Sequence, residues 1–390
     1  MKILISHPTA HQGTRNAILA FKKKNMLFGF TTSINFDTKK FPLNILPKTI
    51  KNFLNKRNFN HITTKIYSTS AFLEFFQRAL FKIFNKDYVN FLYEKNDIFT
   101  SKILFKNKQK INAVYASEGS ALETFIMAKR YNIKCIYELP TTYWKAKSFF
   151  FNNETIEPKY KLLNLDQELK LADLIIVPTQ FVKKTLKNTP INNKKIIILP
   201  YGFNKINKTK RQWFDGKRKL NLLYVGSLIE RKGIKYLIRS IKELMKIHKN
   251  MISATIIGSG SLKNYAHKEL PEAKFIENLS YNNLLKHYRT NDIFILPSLL
   301  EGFGLVITEA MSNGMVVMST NRTGLPEIRN DNDSILIKAN NAKDIVHKVT
   351  YLIKRPKQIQ RMGKNALITA SKYSWPKYQN KLVEIINDNL

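Results

Sequence analysis

The chain is poor in cysteine and in long apolar runs. Its 390 residues include one cysteine, Cys135, so no disulfide can form within it. A single thiol is typical of a reducing compartment. No uncharged apolar run reaches the roughly 18 residues needed to cross a bilayer, and the first residues turn polar too soon for a signal peptide. We therefore expect a cytoplasmic protein.

Acidic residues are also scarce. The chain has 28 Asp and Glu against 65 Lys and Arg, a net charge of +37. Counted by halves, the excess is +20 in residues 1–200 and +17 in residues 201–390. This balance favours negatively charged partners, namely nucleic acid, anionic lipid or phosphorylated small molecules. A Lys-, Asn- and Ile-rich composition also results from biased codon usage, so charge alone does not choose among them.

The pattern along the chain indicates two α/β units. A hydrophobic fraction of 44% is enough for buried cores, and the length favours two domains. Short apolar strands alternate with helix-periodic segments, as in NAVYA before ALETFIMAKRYN and NLLYVGS before a second helical stretch. The lysine-rich segment KINKTKRQWFDGKRK is predicted to be the linker between the two units. This alternation predicts two Rossmann-like domains with parallel sheets, facing one another.

One stretch, SLLEGFGLVITEAMSNG, suggests a ligand. Glu301 and Glu309 flank two glycines just after the strand DIFILPS, at the sheet edge where open α/β folds bind ligands. Gly302 and Gly304 let a ligand approach the backbone, and the following helix start suits a phosphate. Carboxylates would repel phosphate but can accept hydrogen bonds from vicinal hydroxyls. The combination predicts a nucleotide sugar; the alternative is a turn with solvated glutamates.

The same region resembles the retaining GT-B glycosyltransferases of group 1 (family 4). The likeness is carried by PSLLEGFGLVITEAMSNGMVVMSTNRTGLPEI, YVGSLIERKGIKYLIRSI, TIIGSGSL and NDIFILPS, and more weakly by HPTAHQGTR, LADLIIVPTQFVKKTL and IIILPYGFN. It implies a GT-B fold, with two Rossmann-like domains across a cleft. Residues 1–203 would bind the acceptor and residues 204–373 the nucleotide sugar. The last segment, 374–390, resembles the family's helix that crosses back to the first domain.

The resemblance implies roles for the donor-site residues. Glu309 matches the glutamate that binds the ribose hydroxyls, and Glu301 matches the one that contacts the transferred sugar. The other positions implied are loop and backbone contacts: Gly302, Phe303, Gly304, Leu305, Gly226, Ser227, Gly258 and Ser280.

The family also places two cations at the diphosphate, and this chain departs from that pattern. Lys232 matches the family lysine, whereas Ser227 occupies the usual arginine position. Arg231 is the nearest replacement. A cation is required there because negative charge grows on the departing phosphate. We therefore assign Lys232, Arg231 and Glu301 as catalytic candidates.

The first loop of the N-terminal half is expected to approach the acceptor and the reaction centre. Gln12 and Gly13 are the candidate backbone contacts. His7 and His11 lie nearby in sequence and are either functional or structural. Many relatives carry His-Asp at the end of the strand IKCIYELP, where this chain has Tyr-Glu, so Glu138 is a candidate orienting group there.

No cofactor or metal is expected beyond the nucleoside-diphosphate sugar as co-substrate. In a retaining transfer without an enzyme nucleophile, the departing phosphate takes the acceptor's proton, so cations and positioning suffice. The D-x-D at Asp331–Asp333 follows PEIR and precedes the strand SILI, so we interpret it as a turn rather than a metal site.

The predicted activity is transfer of a hexose from a UDP- or GDP-sugar to a saccharide or lipid-linked acceptor in cell-surface polysaccharide or glycolipid synthesis. The alternatives are a GT-B nucleotide-sugar epimerase and a catalytically idle module that binds membranes or nucleic acid. Residues 1–110 hold 20 basic and 5 acidic residues with interleaved aromatics. Those aromatics either form core, or rest with the lysines on the anionic inner face of the plasma membrane. Nucleic acid is not expected, because no recognition motif is present.

Overall fold

The computed structural model describes residues 1–36, 54–55, 57–63, 65–68, 88–146, 159–187, 189, 191, 195–204, 211–330 and 332–390. These residues form two parallel β-sheets with helices packed around them. This is the α/β class predicted from the alternation of strands and helices.

The first sheet belongs to the N-terminal domain. Its strands are β1 Ile3–Ser6, β2 Leu27–Thr32, β3 Ile66–Ser68, β4 Ala113–Ser117, β5 Lys134–Glu138, β6 Leu174–Val177 and β7 Lys195–Ile198. They pair in the order β3-β2-β1-β4-β5-β6-β7, and every pair is parallel. The helices are α1 Gln12–Lys23, α2 Tyr88–Lys106, α3 Leu122–Arg130, α4 Lys159–Leu171 and α5 Gln180–Thr185.

The second sheet belongs to the C-terminal domain. Its strands are β8 Leu220–Val225, β9 Ile252–Ile257, β10 Lys274–Ile276, β11 Ile293–Leu296, β12 Val316–Thr320 and β13 Ser334–Ile337, paired in the order β10-β9-β8-β11-β12-β13. The helices are α6 Ile234–His248, α7 Lys263–Glu269, α8 Tyr281–Thr290, α9 Leu305–Ser312, α10 Leu325–Ile328, α11 Ala342–Ile353, α12 Pro356–Ala370 and α13 Trp375–Asn389.

Local sequence explains where these elements form. β6 and β11 are buried along their whole length, and their sequences, LIIV and IFIL, are continuous apolar runs. α6 buries one stripe of residues at helical spacing: Ile234, Leu237, Ile238, Ile241 and Leu244. α1 begins at Gln12, because the Nδ1 of His11 accepts a hydrogen bond from the backbone N–H of Gly13 at 3.0 Å and caps the helix.

The chain returns to the N-terminal domain at its C-terminal end. Phe203 and Ser374 form an isolated parallel bridge where the chain crosses between domains. α13 then packs on α1, where Gln379 donates from Nε2 to Oδ1 of Asn16 at 2.8 Å and accepts from Nζ of Lys23 at 2.7 Å. Within the described ranges, no helix is both long and apolar enough to traverse a bilayer.

The carboxyl ends of the two sheets meet. Strand order reverses between β1 and β4 and between β8 and β11, and such switch points are where open α/β sheets bind ligands. The hydroxyl of Thr179, after β6, donates to the carbonyl oxygen of Gly302, after β11, at 3.1 Å. The backbone N–H of Gln180 donates to Oε1 of Glu327 at 2.7 Å. The two predicted binding edges therefore face each other.

Candidate functional site

The loop after β8 and the loop after β11 are locked together at the switch point. Gly233 has φ +71°, and a Cβ there would lie 2.1 Å from the carbonyl oxygen of Pro297, so only glycine permits this approach. A short 3₁₀ turn, Glu230–Lys232, precedes it. The backbone N–H of Leu299 donates to the carbonyl of Arg231 at 2.8 Å. This packing places residues 231 and 232 beside residue 301.

Glu301 lies between two cations. Its Oε2 forms an ion pair with Nζ of Lys232 and lies 3.5 Å from Nη1 of Arg231. The side chains of Lys232 and Glu301 are 12% and 14% exposed, whereas that of Arg231 is 43% exposed. Lys232 is therefore the enclosed cation and Arg231 is the one that solvent or a ligand can reach. Two cations with one carboxylate leave net positive charge, which suits a diphosphate.

Ser227 supplies no charge at this position. Its side chain is exposed at the end of β8, and its carbonyl accepts a hydrogen bond from the hydroxyl of Tyr224 at 2.9 Å. Burial, and then the negative charge of Glu301, raise the pKa of Tyr224. Tyr224 therefore stays protonated and acts as a donor that supports this loop.

The GFG stretch forms both a helix start and a domain contact. Gly304 has φ +83° and directly precedes α9; a Cβ at that position would lie 3.4 Å from Cγ of Glu301. At Gly302 a Cβ would lie 1.9 Å from the carbonyl oxygen of Pro140 in the other domain. The ring of Phe303 is buried edge-on against Tyr201, with centroids 5.6 Å apart. The Phe303 side chain therefore packs the domains together, and Leu305 is half-buried in the first turn of α9.

Glu309 is on the second turn of α9 and is half-buried. Its Oε2 accepts a hydrogen bond from the hydroxyl of Tyr288, on α8, at 2.9 Å. Burial raises the pKa of Glu309, and the hydrogen bond from Tyr288 opposes that effect. Ser280 caps α8, where its Oγ accepts from the backbone N–H of Asn283 at 3.4 Å.

The two remaining glycines of the predicted donor site join neighbouring loops. Gly258 has φ +144°, and a Cβ there would lie 1.9 Å from the carbonyl oxygen of Gly226. The backbone N–H of Gly226 in turn donates to the carbonyl of Ile257 at 3.0 Å. Close packing of the loops after β8 and β9 therefore explains Gly258, whereas a Cβ on Gly226 would lie 2.9 Å from the hydroxyl of Tyr224.

The first N-terminal loop is shaped by a neutral histidine. His7 is buried, and its Nδ1 accepts hydrogen bonds from the backbone N–H groups of Thr9 at 3.0 Å and Ala10 at 2.9 Å. Burial, followed by the charges of His11 and two nearby arginines, lowers the pKa of His7 well below its usual value. His7 therefore positions this loop as an acceptor, while Gln12 is exposed at the start of α1.

Glu138 is buried directly beneath that loop. Its Oε1 accepts from the hydroxyl of Tyr201 at 2.9 Å, and its Oε2 accepts from Oγ of Ser117 at 3.3 Å and lies 3.6 Å from Nε2 of His11. A Cβ on Gly13 would lie 2.9 Å from Oε1. The structure thus brings Gly13, His11 and Glu138 together, with Glu138 in a position to orient its neighbours.

The D-x-D stretch makes turn contacts at the residue that the structure describes. Asp333 is buried and accepts from Oγ1 of Thr369 at 2.6 Å and from the backbone N–H of Asn330 at 3.0 Å. Asp331 lies outside the described residues. Among the described residues, no group of three His, Cys, Asp or Glu side chains could hold a metal ion.

Sequence reasoning missed two tyrosines that the structure places at the site. Tyr288 contacts Glu309, and Tyr201 contacts both Glu138 and Phe303. A weak signal existed for Tyr288, because Tyr281 and Tyr288 are seven residues apart on one helix and therefore share a face. Nothing in the sequence indicated that Tyr201 joins the two domains.

Comparison with known proteins gives one family match and several related sequences. Residues 205–368 match the family model described as Glycosyl transferases group 1. An uncharacterized glycosyltransferase of Methanocaldococcus jannaschii is 28% identical over 53% of this chain and 57% of its own length. The D-inositol 3-phosphate glycosyltransferase of Corynebacterium kroppenstedtii is 28% identical over 43% of this chain and 40% of its own. The chain therefore matches about half the length of these curated relatives.

Solved structures match over the whole chain. Sucrose-phosphate synthase from Thermosynechococcus elongatus has a TM-score of 0.72 at 13% identity, covering 100% of this chain and 99% of its own. Anabaena HepE, solved in complex with UDP, has a TM-score of 0.69 at 15% identity, with 100% of both chains covered. These matches confirm the predicted GT-B fold. They show that the chain carries two Rossmann-like domains, and residues 205–368 are similar to the group 1 glycosyl transferases.

Proposed function

We propose that the protein is a retaining glycosyltransferase that moves a hexose from a nucleoside-diphosphate sugar to a saccharide or lipid-linked acceptor. The observation that carries this proposal is the placement of Glu301 between Lys232 and Arg231, one residue before the GFG turn. A diphosphate at this point would contact both cations, and its sugar would lie within reach of the carboxylate.

In the proposed reaction, the acceptor hydroxyl oxygen bonds to the anomeric carbon on the face that the leaving group departs from. The bond between that carbon and the phosphate oxygen breaks, and its electron pair stays on the diphosphate. The acceptor's proton passes to a phosphate oxygen. Lys232 and Arg231 stabilise the charge on the diphosphate, so Arg231 takes the role of the cation missing at Ser227.

The donor's other groups have matching partners in this proposal. Glu309 accepts hydrogen bonds from the ribose hydroxyls, and Glu301 binds sugar hydroxyls. The backbone of residues 302–305 and the loops at Gly226, Gly258 and Ser280 enclose the diphosphate and base. The UDP found in HepE supports testing UDP-sugars first and GDP-sugars second.

The acceptor side is formed by the first N-terminal loop. His7 and Glu138 hold the loop from beneath. Gln12 is exposed and is therefore the acceptor contact in this proposal, whereas Gly13 is buried and its backbone N–H donates to Nδ1 of His11. A saccharide acceptor is supported by the likeness to a lipopolysaccharide 1,2-N-acetylglucosaminetransferase of Salmonella typhimurium, 26% identical over 54% of this chain and 61% of its own.

One exposed face of α2 supports the proposal that the protein binds an anionic membrane surface. Phe91, Ile98 and Phe105 of α2 are 37%, 40% and 46% exposed, and their seven-residue spacing puts them on one face. Lys95 and Lys102 lie between them and are exposed. Apolar and basic side chains on one exposed face are typical of helices that lie on anionic lipid. Residues 69–87, which carry part of the aromatic pattern, lie outside the described residues.

Vesicle sedimentation tests the surface proposal. The wild type should sediment with phosphatidylglycerol vesicles and not with phosphatidylcholine vesicles, and a double variant, Ile98→Ser with Phe105→Ser, should sediment less. Ile368→Ser is the matched control, since Ile368 is 60% exposed on α12 in the other domain. Equal sedimentation of the double variant and this control would refute a role for α2.

Two glutamate variants test the donor assignment. Glu309→Ala should weaken nucleotide binding, whereas Glu301→Ala should mainly slow transfer, because only Glu301 contacts the sugar in this proposal. Calorimetric affinity and the initial rate of UDP or GDP release separate the two effects. The assignment is wrong if both variants keep wild-type affinity and rate.

Product analysis decides between the remaining activities. Retention requires the same anomeric configuration in donor and product, which proton NMR measures. An epimerase would change the sugar without any acceptor, and an idle binding module would release no nucleotide above background.

A further inference from the structure

We propose that Tyr288 is a positioning residue for the nucleoside part of the donor: it holds one carboxylate oxygen of Glu309 so that the other meets the ribose hydroxyls. This inference rests on the proposed function, in which Glu309 binds the ribose. It adds α8 to the nucleotide site as a second wall beside α9.

The contact is enclosed and specific. Tyr288 is fully buried, and its hydroxyl donates to Oε2 of Glu309 at 2.9 Å. Its ring packs edge-on against Phe294 of β11, with centroids 6.1 Å apart. The phenol is therefore fixed by the core of the sheet, while Glu309 on α9 remains half-buried. A rigid donor thus sets the position of a carboxylate that is partly open to solvent.

The direction of the hydrogen bond is determined by protonation. Burial, followed by the charge of Glu309, raises the pKa of Tyr288 well above its usual value, so the phenol remains a donor. Burial raises the pKa of Glu309 as well, and the Tyr288 hydroxyl counteracts this by stabilising the ionised form. Without this donor, a half-buried carboxylate would lose a partner that favours its charge.

The carboxylate of Glu309 can accept more hydrogen bonds than Tyr288 alone donates. An ionised carboxylate has about four lone-pair sites on two oxygens. Tyr288 occupies a site on Oε2, and among the described residues no other side chain donates a hydrogen bond to this carboxylate. Oε1 of Glu309 is thus left for a vicinal diol, which offers two O–H donors. The ribose of a nucleotide has such a diol, and a 2′-deoxyribose does not.

A second tyrosine on the same helix, Tyr281, is exposed to solvent. Tyr281 is seven residues before Tyr288, so the two share a face of α8, and its side chain is 45% exposed. Burial, followed by the charge of Glu309, raises the pKa of Tyr281. The field of Glu309 therefore reaches both ends of this face, the buried one at Tyr288 and the open one at Tyr281.

The test compares a ribonucleotide with its deoxy analogue. Dissociation constants for UDP and 2′-deoxy-UDP, and for GDP and 2′-deoxy-GDP, are measured by calorimetry on wild type, Glu309→Gln, Tyr288→Phe and Tyr224→Phe. In Tyr288→Phe we expect ribonucleotide binding to weaken by about three- to tenfold, the range for the net contribution of one typical hydrogen bond, because Tyr288 acts on the ligand only through Glu309. Binding of the deoxy analogue should weaken less, so the preference for ribose falls.

Tyr224→Phe is the matched control. It also removes a buried phenol hydroxyl with a 2.9 Å hydrogen bond in the same domain, but that bond goes to the carbonyl of Ser227. Its preference for ribose over deoxyribose should equal that of the wild type. Because the preference is a ratio measured on one preparation, a partly unfolded sample does not change it.

The outcomes separate this inference from the function on which it rests. If Glu309→Gln loses the ribose preference while Tyr288→Phe keeps it, the inference about Tyr288 is overturned and the proposed function stands. If the wild type binds neither nucleotide, or if Glu309→Gln keeps the preference, the proposed nucleoside site itself is wrong. Loss of the preference in Tyr288→Phe and Glu309→Gln, but not in Tyr224→Phe, supports the inference.

Discussion

Replacing Gly302 by alanine tests whether the observed contact between the two domains is the active arrangement. The added Cβ would lie 1.9 Å from the carbonyl oxygen of Pro140, whereas ordinary van der Waals contact begins at 3.4 Å. The obstacle is backbone rather than a flexible side-chain end, so the domains or the 301–304 loop must move. The hydrogen bond from Thr179 to the carbonyl of Gly302 would be disturbed as well.

The expected magnitude follows from that displacement. Even the tightest tolerated contact, at 3.0 Å, requires a movement of more than 1 Å. A misplacement of about 1 Å between reacting groups costs on the order of 100-fold in rate, which corresponds to about 2.7 kcal/mol of barrier. We therefore expect the kcat/KM of Gly302→Ala for transfer to an acceptor to fall by about 100-fold. Nucleotide affinity should change far less, because Glu309 and its partner Tyr288 are both in the C-terminal domain.

Transfer kinetics and calorimetry are measured on the same preparation. Small-angle scattering adds the radius of gyration, which should rise in Gly302→Ala if the domains separate. The reasoning is refuted if the variant transfers sugar at the wild-type rate with an unchanged radius of gyration. Loss of nucleotide binding in parallel with the rate would instead indicate local damage to the donor loop.

Three further predictions concern stability. In Glu168→Gln, the melting temperature should lose part of its pH dependence, because burial raises the pKa of Glu168 from 4.5 to about 8. The contribution of Glu168 to folding stability is therefore present below pH 4.5 and is lost as the pH rises through about 8. Arg211→Lys should lower the melting temperature by several degrees without altering UDP affinity, since the guanidinium donates to four backbone carbonyls at the ends of α8 and α9. Gly233→Ala should lower the melting temperature more than Arg211→Lys does, because the added Cβ would lie 2.1 Å from the carbonyl oxygen of Pro297. Differential scanning fluorimetry measures the melting temperatures of all three variants.

The C-terminal half was the part of the sequence that could be predicted in more detail. β11 is a continuous apolar run and α6 carries one buried stripe, so periodicity separates this strand from this helix. The pairing of Lys232 with Glu301 could be anticipated because both follow strands that end at the same sheet edge. The roles assigned to these residues stay predictions until a ligand is bound.

The contacts between the two domains could not be predicted from the sequence. Thr179 and Gly302 are 123 positions apart, and their hydrogen bond depends on how two separately formed sheets meet. Glu138 was proposed for the reaction-centre loop from a strand-end position. The structure shows it buried beneath that loop, because the hydroxyl of Tyr201 reaches it from a distant segment.

The amino-acid sequence by itself determined the alternation of strands and helices, the two-domain α/β organisation and the positions of the charged residues at the strand ends. These depend on local periodicity, glycine placement and the fixed direction of parallel strands. Only the tertiary structure decided which cation is enclosed, which oxygen of Glu309 is occupied and which glycines contact the other domain. Burial and hydrogen bonding between distant segments set those properties, and no pattern along the chain encodes the distances involved.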